Sequence, residues 1–398
     1  MNERTRLFLY LAYKIGLHVF ALVGFVLVGG FFAVRWHWTD AQGSIDVNNN
    51  RFQESLTDKN ASAGKKVLGV EAQDNSGNST SLDELNFQIK KLSERKEVKA
   101  KNYCLIDVIG QYSPQTSAKI IEIYNQTDSD ALISKMILAA RIRIEEKNGG
   151  SSVFANCDYE KTQTNDAEIN KKYAEAQGKT LFPWMDNEEW ETIRQAIMKD
   201  KDLIEKAAAT AGIEPRLLVS CAIVEQVRLF NSSRELFKQF FQPLKILGNA
   251  NKISLGIMGI KENTAIQIEN NLKDQNSPYY LGPELEKVLD YADGSDGDKR
   301  YARLTEDSHY YSYLYGALYL KQFETQWKKA DYDIKYRPEI AGTLFNVGFP
   351  QSKPNPNPKV GGSKINIYGS EYTFGSLAYE FYYSGELVDA FPYNITKK

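Results

Sequence analysis

The pattern of apolar and polar positions begins with an apolar run close to the start of the chain. Residues 15–34 contain no Asp, Glu, Lys or Arg, whereas residues 1–14 carry Arg4, Arg6 and Lys14. About 20 apolar residues are long enough to cross a bilayer as a helix. Because basic residues precede the run, the positive-inside rule predicts a cytoplasmic tail at 1–14, one transmembrane helix at 15–34 and export of the remainder. A cleaved signal peptide is the alternative, but its apolar region would be shorter and a small-x-small site would follow.

The next stretch, residues 35–100, is polar. It is rich in Asn, Ser, Gln, Asp, Gly and Lys, and large apolar residues are few. Such a composition buries too little apolar surface to offset the entropy that a chain loses on folding. The pattern therefore predicts a disordered linker that connects the membrane anchor to the folded part of the chain.

Apolar residues return in residues 101–185, which we interpret as a small ordered region of mixed α/β structure. Residues 103–110 form a short apolar run that ends at Gly110 and precedes Pro114, which is typical of a strand. Residues 120–146 have apolar positions at helical spacing. No group of residues in this region has the spacing of a catalytic site, so the pattern leaves its role open.

Residues 186–398 carry further helical signals. A helix is predicted after Asp186 or Asn187, either of which can cap it, and another helix precedes Gly212. Pro215 suits the first turn of a third helix, because that position needs no backbone N–H donor. The pattern predicts a single mainly α-helical domain with a small β or loop element.

The helix that begins at Pro215 has one carboxylate, Glu225, on its apolar face. The residues that recur at helical spacing on this face are Leu218, Cys221, Ala222, Glu225 and Leu229. Apolar neighbours remove water from a carboxyl group and disfavour its charged form. We therefore expect Glu225 to hold a proton near neutrality and to donate it in catalysis.

Charge and aromatic content bear on the class of function. Lys and Arg total 49 against 51 Asp and Glu, so the balance does not favour binding to nucleic acid. The 24 tyrosines fit either a large core or a carbohydrate groove, and a core accounts for most of them. Tyr315, Tyr319, Phe323 and Trp327 repeat every four residues, which is more typical of a buried helix face than of a sugar-binding platform.

The three cysteines do not have the spacing of a metal site or of a dense disulfide framework. Cys221 lies on the apolar face of the Glu225 helix and is interpreted as a small buried hydrophobic residue. Cys104 and Cys157 would pair only outside the cytoplasm, and sequence spacing does not give the distance that a disulfide needs, so their pairing stays open. The acidic turn at 293–298 lacks the ligand spacing of a calcium loop. We therefore expect neither a metal site nor a cofactor.

Four segments share their order and spacing with one family of enzymes. In chain order they are LLVSCAIVE at 217–225, SLGIMGIKENTA at 254–265, YGALYL at 315–320 and TLFNVG at 343–348. The first is similar to a helix that ends in a catalytic Glu, and the second to a Gly-Leu-Met-Gln segment followed by Pro-x-Thr-Ala. The third is similar to a helix beneath the cleft, and the fourth to an Ala-Tyr-Asn-Ala-Gly motif. Together they resemble the catalytic domain of the lytic transglycosylases, lysozyme-like enzymes that cut bacterial peptidoglycan.

The resemblance implies a lysozyme-like α-helical fold and assigns roles to individual residues. Glu225 would be the catalytic acid and then the base, with no cofactor. The residues expected to bind the glycan are Gly256, Met258, Gly259, Phe345 and Asn346. In the family the same Glu protonates the leaving oxygen and then accepts a proton from the muramyl 6-hydroxyl, so that a 1,6-anhydro ring closes. One carboxylate therefore suffices, whereas a hydrolase usually needs two.

Departures from the family pattern leave two alternatives. Gln226 stands where Ser is common, Gly259 where the groove Gln lies, and Phe345 where Tyr precedes the groove Asn. These changes would permit a lysozyme-like scaffold that binds glycan without cutting it. Glu262 and Glu269 are candidates for the second carboxylate of a hydrolysing muramidase, although charged side chains on a solvated helix face are the simpler interpretation.

The resemblance and the predicted anchor together imply a location and partners. The catalytic domain would lie outside the cytoplasmic membrane, with the N-terminus inside and a single membrane pass. Its expected partners are peptidoglycan glycan strands and, through residues 15–34, the membrane. Cutting would serve wall remodelling or open a passage for an envelope-spanning machinery, and we expect no nucleic-acid partner.

Overall fold

A computed structural model describes most of the chain. The described residues are 3–35, 95–147, 153–154, 157, 166–174, 176–231, 256–291 and 297–395. The linker predicted at 35–100 falls almost entirely outside them, and so does most of the acidic turn at 293–298. Where the described chain resumes, Arg95 is already the first residue of a helix, so the ordered region begins earlier than predicted.

The first helix, α1, extends over Glu3–Arg35. It covers the apolar run at 15–34 together with the basic residues before it. Among the described residues, no helix combines the length and the apolar character that crossing a membrane requires. The prediction of a helix at 15–34 is therefore confirmed, whereas its assignment as a transmembrane anchor is not.

The region predicted as mixed α/β is helical in its main described segments. Its elements are α2 (Arg95–Gly110), α3 (Pro114–Thr127), α4 (Asp130–Lys147) and α5 (Asp166–Tyr173). Ser113 caps α3, since its hydroxyl accepts a hydrogen bond from the Thr116 amide at 3.1 Å and Pro114 occupies the first turn. The single helical pattern at 120–146 corresponds to two helices, separated by Asp128 in a left-handed conformation.

The strand predicted at 103–110 is wrong, because these residues belong to α2. By pattern alone, a short apolar run bounded by Gly fits either a strand or a buried helix segment. One face of α2 contains Asn102, Ile106 and Ile109, which are fully buried at spacings of four and three residues. That spacing is the period of a helix, and it becomes visible only when the burial of each residue is known.

A disulfide joins Cys104 in α2 to Cys157, with the two Cα atoms 5.7 Å apart. The two residues are separated by 53 positions in sequence, so the bond closes a loop that contains α3 and α4. The pairing that the sequence left open is therefore present. Cys221 is unpaired and fully buried, as predicted.

The C-terminal part of the chain is mainly helical, as predicted. Its helices are α6 (Glu188–Lys199), α7 (Lys201–Ala211), α8 (Pro215–Phe230), α9 (Glu262–Lys273), α10 (Gly297–Thr305), α11 (Tyr310–Lys329), α12 (Pro338–Val347) and α13 (Phe374–Ser384). Short 3-10 turns occupy Pro183–Met185 and Phe349–Gln351. The small β element is an antiparallel hairpin of β1 (Lys364–Ile367) and β2 (Ser370–Thr373), which directly precedes α13.

The helix that carries the predicted acid, α8, lies at the centre of this part. It is buried along most of its length and packs against α6, α7, α11, α12 and α13. Gly212, in a left-handed conformation with φ +66°, ends α7, and Pro215 opens α8 three residues later. The two helices that this short connection joins, α7 and α8, also pack against each other.

Arg216, in the first turn of α8, is fully buried although it carries a charge. Its guanidinium nitrogens donate hydrogen bonds of 2.9–3.2 Å to the carbonyl oxygens of Phe381, Tyr382, Glu386 and Phe391. The same group lies 4.3 Å from the ring centroid of Tyr393. These contacts compensate the buried charge and hold the chain around and after the end of α13 against α8.

The aromatic residues at four-residue spacing on α11 are buried, as predicted. They are Tyr315, Tyr319, Phe323 and Trp327. The ring centroid of Tyr319 lies 4.7 Å from that of Phe323 and 4.8 Å from that of Phe349. These distances are typical of packed aromatic pairs, so the rings stabilise the core and do not form a sugar-binding platform.

The N-terminal helices pack on the C-terminal part through α4 and α13. Arg143 of α4 forms an ion pair with Glu380 of α13, and the Trp184 indole donates to the other oxygen of Glu380 at 2.8 Å. Burial raises the pKa of Glu380, while the charge of Arg143 and the two hydrogen bonds oppose that shift. A second ion pair joins Lys119 and Glu386 at 2.6 Å.

Candidate functional site

Glu225 lies near the C-terminal end of α8, with 3% of its surface exposed. Its neighbours on the same face, Cys221 and Ala222, are fully buried. The predicted position of a single acid on a buried apolar face is therefore confirmed. Burial, together with the nearby charge of Glu225, raises the pKa of the Cys221 thiol, so this cysteine stays protonated and unreactive.

Arg228, one helical turn after Glu225, contacts both oxygens of the carboxylate. Its Nε donates to Oε2 at 3.0 Å, and its Nη2 donates to Oε1. The side chain of Arg228 is 19% exposed, against 5% for that of Glu225. Our sequence reasoning missed this contact, although an acid followed three positions later by an arginine is a recognised pairing on a helix.

Gly259 lies directly against the candidate acid. A Cβ atom built on Gly259 would be 2.1 Å from Glu225 Oε1, a distance that no pair of unbonded atoms adopts. Gly259 also has φ +60°, a left-handed conformation in which a side chain is strained. Only glycine therefore lets the backbone approach the carboxylate in this way, and two of the predicted site residues are in contact.

The segment around Gly259 is held to its neighbours by side-chain contacts to its backbone. Gln226 Nε2 donates to the carbonyl oxygen of Ile257 at 2.7 Å, and Ser312 Oγ accepts from the Met258 amide at 3.2 Å. A Cβ on Gly256 would be 2.2 Å from the Leu304 carbonyl oxygen, so this glycine fits a close packing contact. Gln226, which departs from the family pattern, thus has a structural role here.

Met258 is fully buried beneath α11. A Cβ on Gly316 of α11 would be 2.6 Å from Met258 Cε, which means that the methionine side chain fills the space beside this glycine. The side chain therefore packs into the core and offers no exposed surface to a ligand. Sequence spacing suggested a residue that faces a groove, but it does not give the direction in which a side chain points.

Phe345 and Asn346, at the end of α12, make contacts elsewhere. Phe345 is buried, with its ring centroid 5.4 Å from that of Tyr319 and 6.1 Å from that of Phe374. Asn346 Oδ1 accepts from the amide and the hydroxyl of Ser363, at 2.7 and 3.0 Å. Among the described residues, no hydrogen bond joins Asn346 to Glu225, so the predicted site is connected at Gly259 and not at Asn346.

Glu269, one of two candidates for a second carboxylate, is fully engaged. Arg300 donates to it through Nε at 2.9 Å and Nη2 at 2.7 Å, and the Tyr315 hydroxyl donates to Oε1. The paired carboxylate raises the pKa of Arg300, and burial raises that of Tyr315. Glu269 is therefore not a charge on a solvated helix face, as the sequence suggested, but part of an enclosed ion pair.

Glu262, the other candidate, is the first residue of α9 and its side chain is 12% exposed. Its Oε1 lies 4.0 Å from Nη1 of Arg300. Its Oε2 is buried and has no hydrogen-bond partner among the described residues. A buried carboxyl oxygen without a partner is unusual, so Glu262 differs from Glu269 in having an unused acceptor.

Acidic, histidine and thiol side chains are the common protein ligands of metal ions. Within the described residues, no three of these side chains lie together in a way that could hold a metal ion.

Comparison with known proteins adds no assignment to this geometry. No protein-family model, curated protein or solved structure matches the chain. The resemblance to the lytic transglycosylases therefore stays a prediction that is based on the four sequence segments.

Proposed function

We propose that the chain is a lytic transglycosylase that cleaves the bond between N-acetylmuramic acid and N-acetylglucosamine in peptidoglycan. The observation that carries the proposal is the contact between the buried carboxyl group of Glu225 and the backbone of Gly259. These residues belong to the first two of the four segments that resemble the family. The absence of a side chain at Gly259 gives the carboxyl group of Glu225 the space that it occupies against the backbone of the second segment.

The mechanism needs one carboxyl group. Glu225 transfers its proton to the glycosidic oxygen as the bond from this oxygen to C1 of the muramyl sugar breaks and an oxocarbenium-like centre develops. The carboxylate then accepts the proton of the muramyl 6-hydroxyl while that oxygen bonds to C1. The product carries a 1,6-anhydro ring, the proton has returned to Glu225, and no water is consumed.

The proposal includes a location outside the cytoplasm. It is supported by the disulfide between Cys104 and Cys157. Disulfides persist in oxidising compartments and are rare in the cytosol of ordinary cells. The substrate of the proposed reaction, the cell wall, is found in that same extracytoplasmic space.

A glycan-binding scaffold without catalysis is a second candidate, and one observation favours it. Arg228 occupies both oxygens of Glu225, so neither oxygen can present a proton while the ion pair persists. An acid that is permanently held in this way would stabilise the fold without donating a proton. The two functions differ in whether Glu225 is ever released.

A hydrolysing muramidase is a further alternative. It is favoured by the unpartnered oxygen of Glu262, which could act on a water molecule or on C1 of the sugar. Glu269 is the weaker candidate for this role, since Arg300 and Tyr315 occupy its oxygens. Replacement of Glu262 therefore separates this alternative from the transglycosylase.

The test is digestion of purified peptidoglycan by the full-length chain, with products identified by mass spectrometry. We expect 1,6-anhydromuropeptides from the wild type and a loss of about 100-fold or more in Glu225→Gln, the size typical of a missing general acid. Glu262→Gln should keep the rate within a few-fold of the wild type. Thermal unfolding of each variant checks that the fold is intact.

Each other outcome points to a different function. Products with free reducing ends, lost in Glu262→Gln, would make the protein a muramidase. Binding of peptidoglycan without any cleavage would support the scaffold. Unchanged cleavage by a folded Glu225→Gln variant would contradict the proposed acid.

A further inference from the structure

The peptide group between Ile257 and Met258 is held from two helices. Its carbonyl oxygen accepts a hydrogen bond of 2.7 Å from Nε2 of Gln226 in α8, and its N–H donates to Oγ of Ser312 in α11 at 3.2 Å. A peptide group is planar, so its orientation is set by the two backbone rotations that flank it. Hydrogen bonds at its carbonyl and at its N–H oppose both rotations.

The rest of this turn, residues 256–259, has little freedom of its own. The Gly259 amide donates to the carbonyl oxygen of Gly256 at 3.3 Å, and the two glycines are left-handed, with φ +60° and +64°. The side chain of Met258 is fully buried. Because Gly259 directly follows Met258, rotation of the held peptide group would move Gly259 relative to the carboxyl group of Glu225.

Gln226 is the residue after Glu225, so the acid and the side chain that holds the turn belong to the same stretch of α8. Gly259 lies so close to the acid that a Cβ atom built on it would be 2.1 Å from Glu225 Oε1. A small shift of the turn would therefore change the space in which the carboxyl group lies. Misplacement of a reacting group by about 1 Å can lower a rate about 100-fold.

We propose that Gln226 is a positioning residue that fixes the turn at 256–259 against Glu225 and thereby places the carboxyl group for proton transfer. The inference rests on the proposed function and adds a residue that acts through the turn and not on the glycan. Ser312 holds the same peptide group from another helix, so it supports the turn without tying it to the helix of the acid. Gln226, a departure from the family pattern, thereby gains a role in the reaction.

Gln226→Met tests the role in catalysis, because methionine has nearly the same length but no N–H donor. The full-length variant is assayed on soluble glycan strands. Its kcat should fall about 10–100-fold while KM stays within a few-fold of the wild type, since the acid is displaced and the strand is still bound. Gln195→Met is the matched control. This exposed glutamine on α6 donates to Glu191 at 2.8 Å, and its replacement should leave both constants unchanged.

A double-mutant cycle tests the hold on the turn without any substrate. Gly259→Ala places a methyl group against Glu225, and the turn cannot retreat while Gln226 holds it. The fall in the urea midpoint that Gly259→Ala causes should therefore be smaller in the Gln226→Met background than in the wild type. Gly212→Ala has a similar backbone conformation without a close neighbour, so its fall should be the same in both backgrounds.

The two measurements separate this inference from the proposed function. Equal falls in midpoint for Gly259→Ala in both backgrounds, or an undiminished kcat of Gln226→Met, would overturn the role of Gln226. A rise in KM at unchanged kcat would also overturn it, because Gln226 would then act on binding of the strand. If the folded wild type cleaves no strand, the catalytic proposal fails alone, and the cycle still decides whether Gln226 holds the turn.

Discussion

At the scale of the residue, the candidate acid Glu225 makes two contacts that differ in their physical nature. Arg228 compensates the charge of Glu225, while Gly259 provides the space that the carboxyl group occupies. The first contact is an ion pair between two charged side chains. The second depends on the absence of a side chain, so it fixes where the acid can lie.

The contact at Gly259 leads to a prediction about stability and activity. Gly259→Ala should lower the free energy of unfolding by more than the roughly 1–2 kcal/mol that a left-handed conformation costs an alanine, because the new methyl group also collides with Glu225. Cleavage of peptidoglycan should fall with it, since the acid is displaced. Urea unfolding and the rate of anhydromuropeptide formation measure the two effects.

Gly212→Ala is the matched control for this substitution. Gly212 has φ +66°, close to the +60° of Gly259, but the nearest atom to its added Cβ would be 3.9 Å away. It should lose stability through backbone strain alone and keep its activity. If Gly259→Ala retains full cleavage, the approach of Gly259 to the carboxyl group is not part of the site.

The residue scale also shows how far the sequence could predict the site. The apolar spacing around Glu225 is a local property, and it correctly predicted a buried acid. Arg228 was within reach of the same reasoning through its spacing, whereas the collision between Gly259 and Glu225 depends on how two distant segments pack. The direction of Met258, into the core, depends on α11 and is not contained in the local pattern.

At the scale of the element, the contact between α4 and α13 joins the N-terminal helices to the rest of the fold. Its centre is the enclosed pair of Arg143 and Glu380, to which Trp184 adds a hydrogen bond. The region of residues 101–185 had no role in the sequence interpretation. The structure gives these helices a structural role, since Arg143 of α4 supplies the charge that compensates Glu380.

Removal of that charge gives a prediction for this interface. Arg143→Met should lower the free energy of unfolding by about 3–5 kcal/mol, because Glu380 stays buried without its ionic partner. The double variant Arg143→Met with Glu380→Gln should recover part of the loss. Arg194→Met, in an exposed ion pair, should cost less than about 1 kcal/mol. Urea unfolding followed by tryptophan fluorescence measures all three, and equal effects of the two arginine variants would contradict the prediction.

The elements differ in how well the sequence predicted them. The start of α8 was predicted from Pro215, and the cap of α6 was predicted at Asp186 or Asn187. The structure has Asn187 as the cap, since its side chain accepts from the Trp190 amide at 2.7 Å. Both signals lie within one helical turn of the helix start that they predict. The helical segment at 103–110 was mistaken for a strand because a short apolar run bounded by Gly fits both structures, and the local pattern does not decide between them.

At the scale of the whole molecule, the disulfide between Cys104 and Cys157 restricts the unfolded chain. For its sequence separation of 53 residues, loop-closure entropy predicts a stabilisation of about 4 kcal/mol. Dithiothreitol should therefore lower the unfolding midpoint of the wild type. The double variant Cys104→Ala with Cys157→Ala should start at that lower midpoint and should not respond to the reductant. An equal response in both proteins would contradict the prediction.

Long-range pairs of this kind mark the limit of prediction from one sequence. The sequence contained both cysteines, but their pairing needs a distance that only the packing of α2 with the chain after α4 supplies. The same holds for Trp184 and Glu380, which are 196 residues apart. A single sequence contains the two partners of such a contact without indicating that they meet.

The contacts of Arg216 have a consequence for the timing of maturation. Its guanidinium, in the first turn of the helix that ends near the candidate acid, donates hydrogen bonds to carbonyl groups that are 165–175 residues further along the chain. Until those residues have been synthesised and delivered to the same compartment, a buried charge at the start of α8 has no acceptors. The helix that carries Glu225 therefore cannot reach its final packing before the chain has been synthesised as far as Phe391.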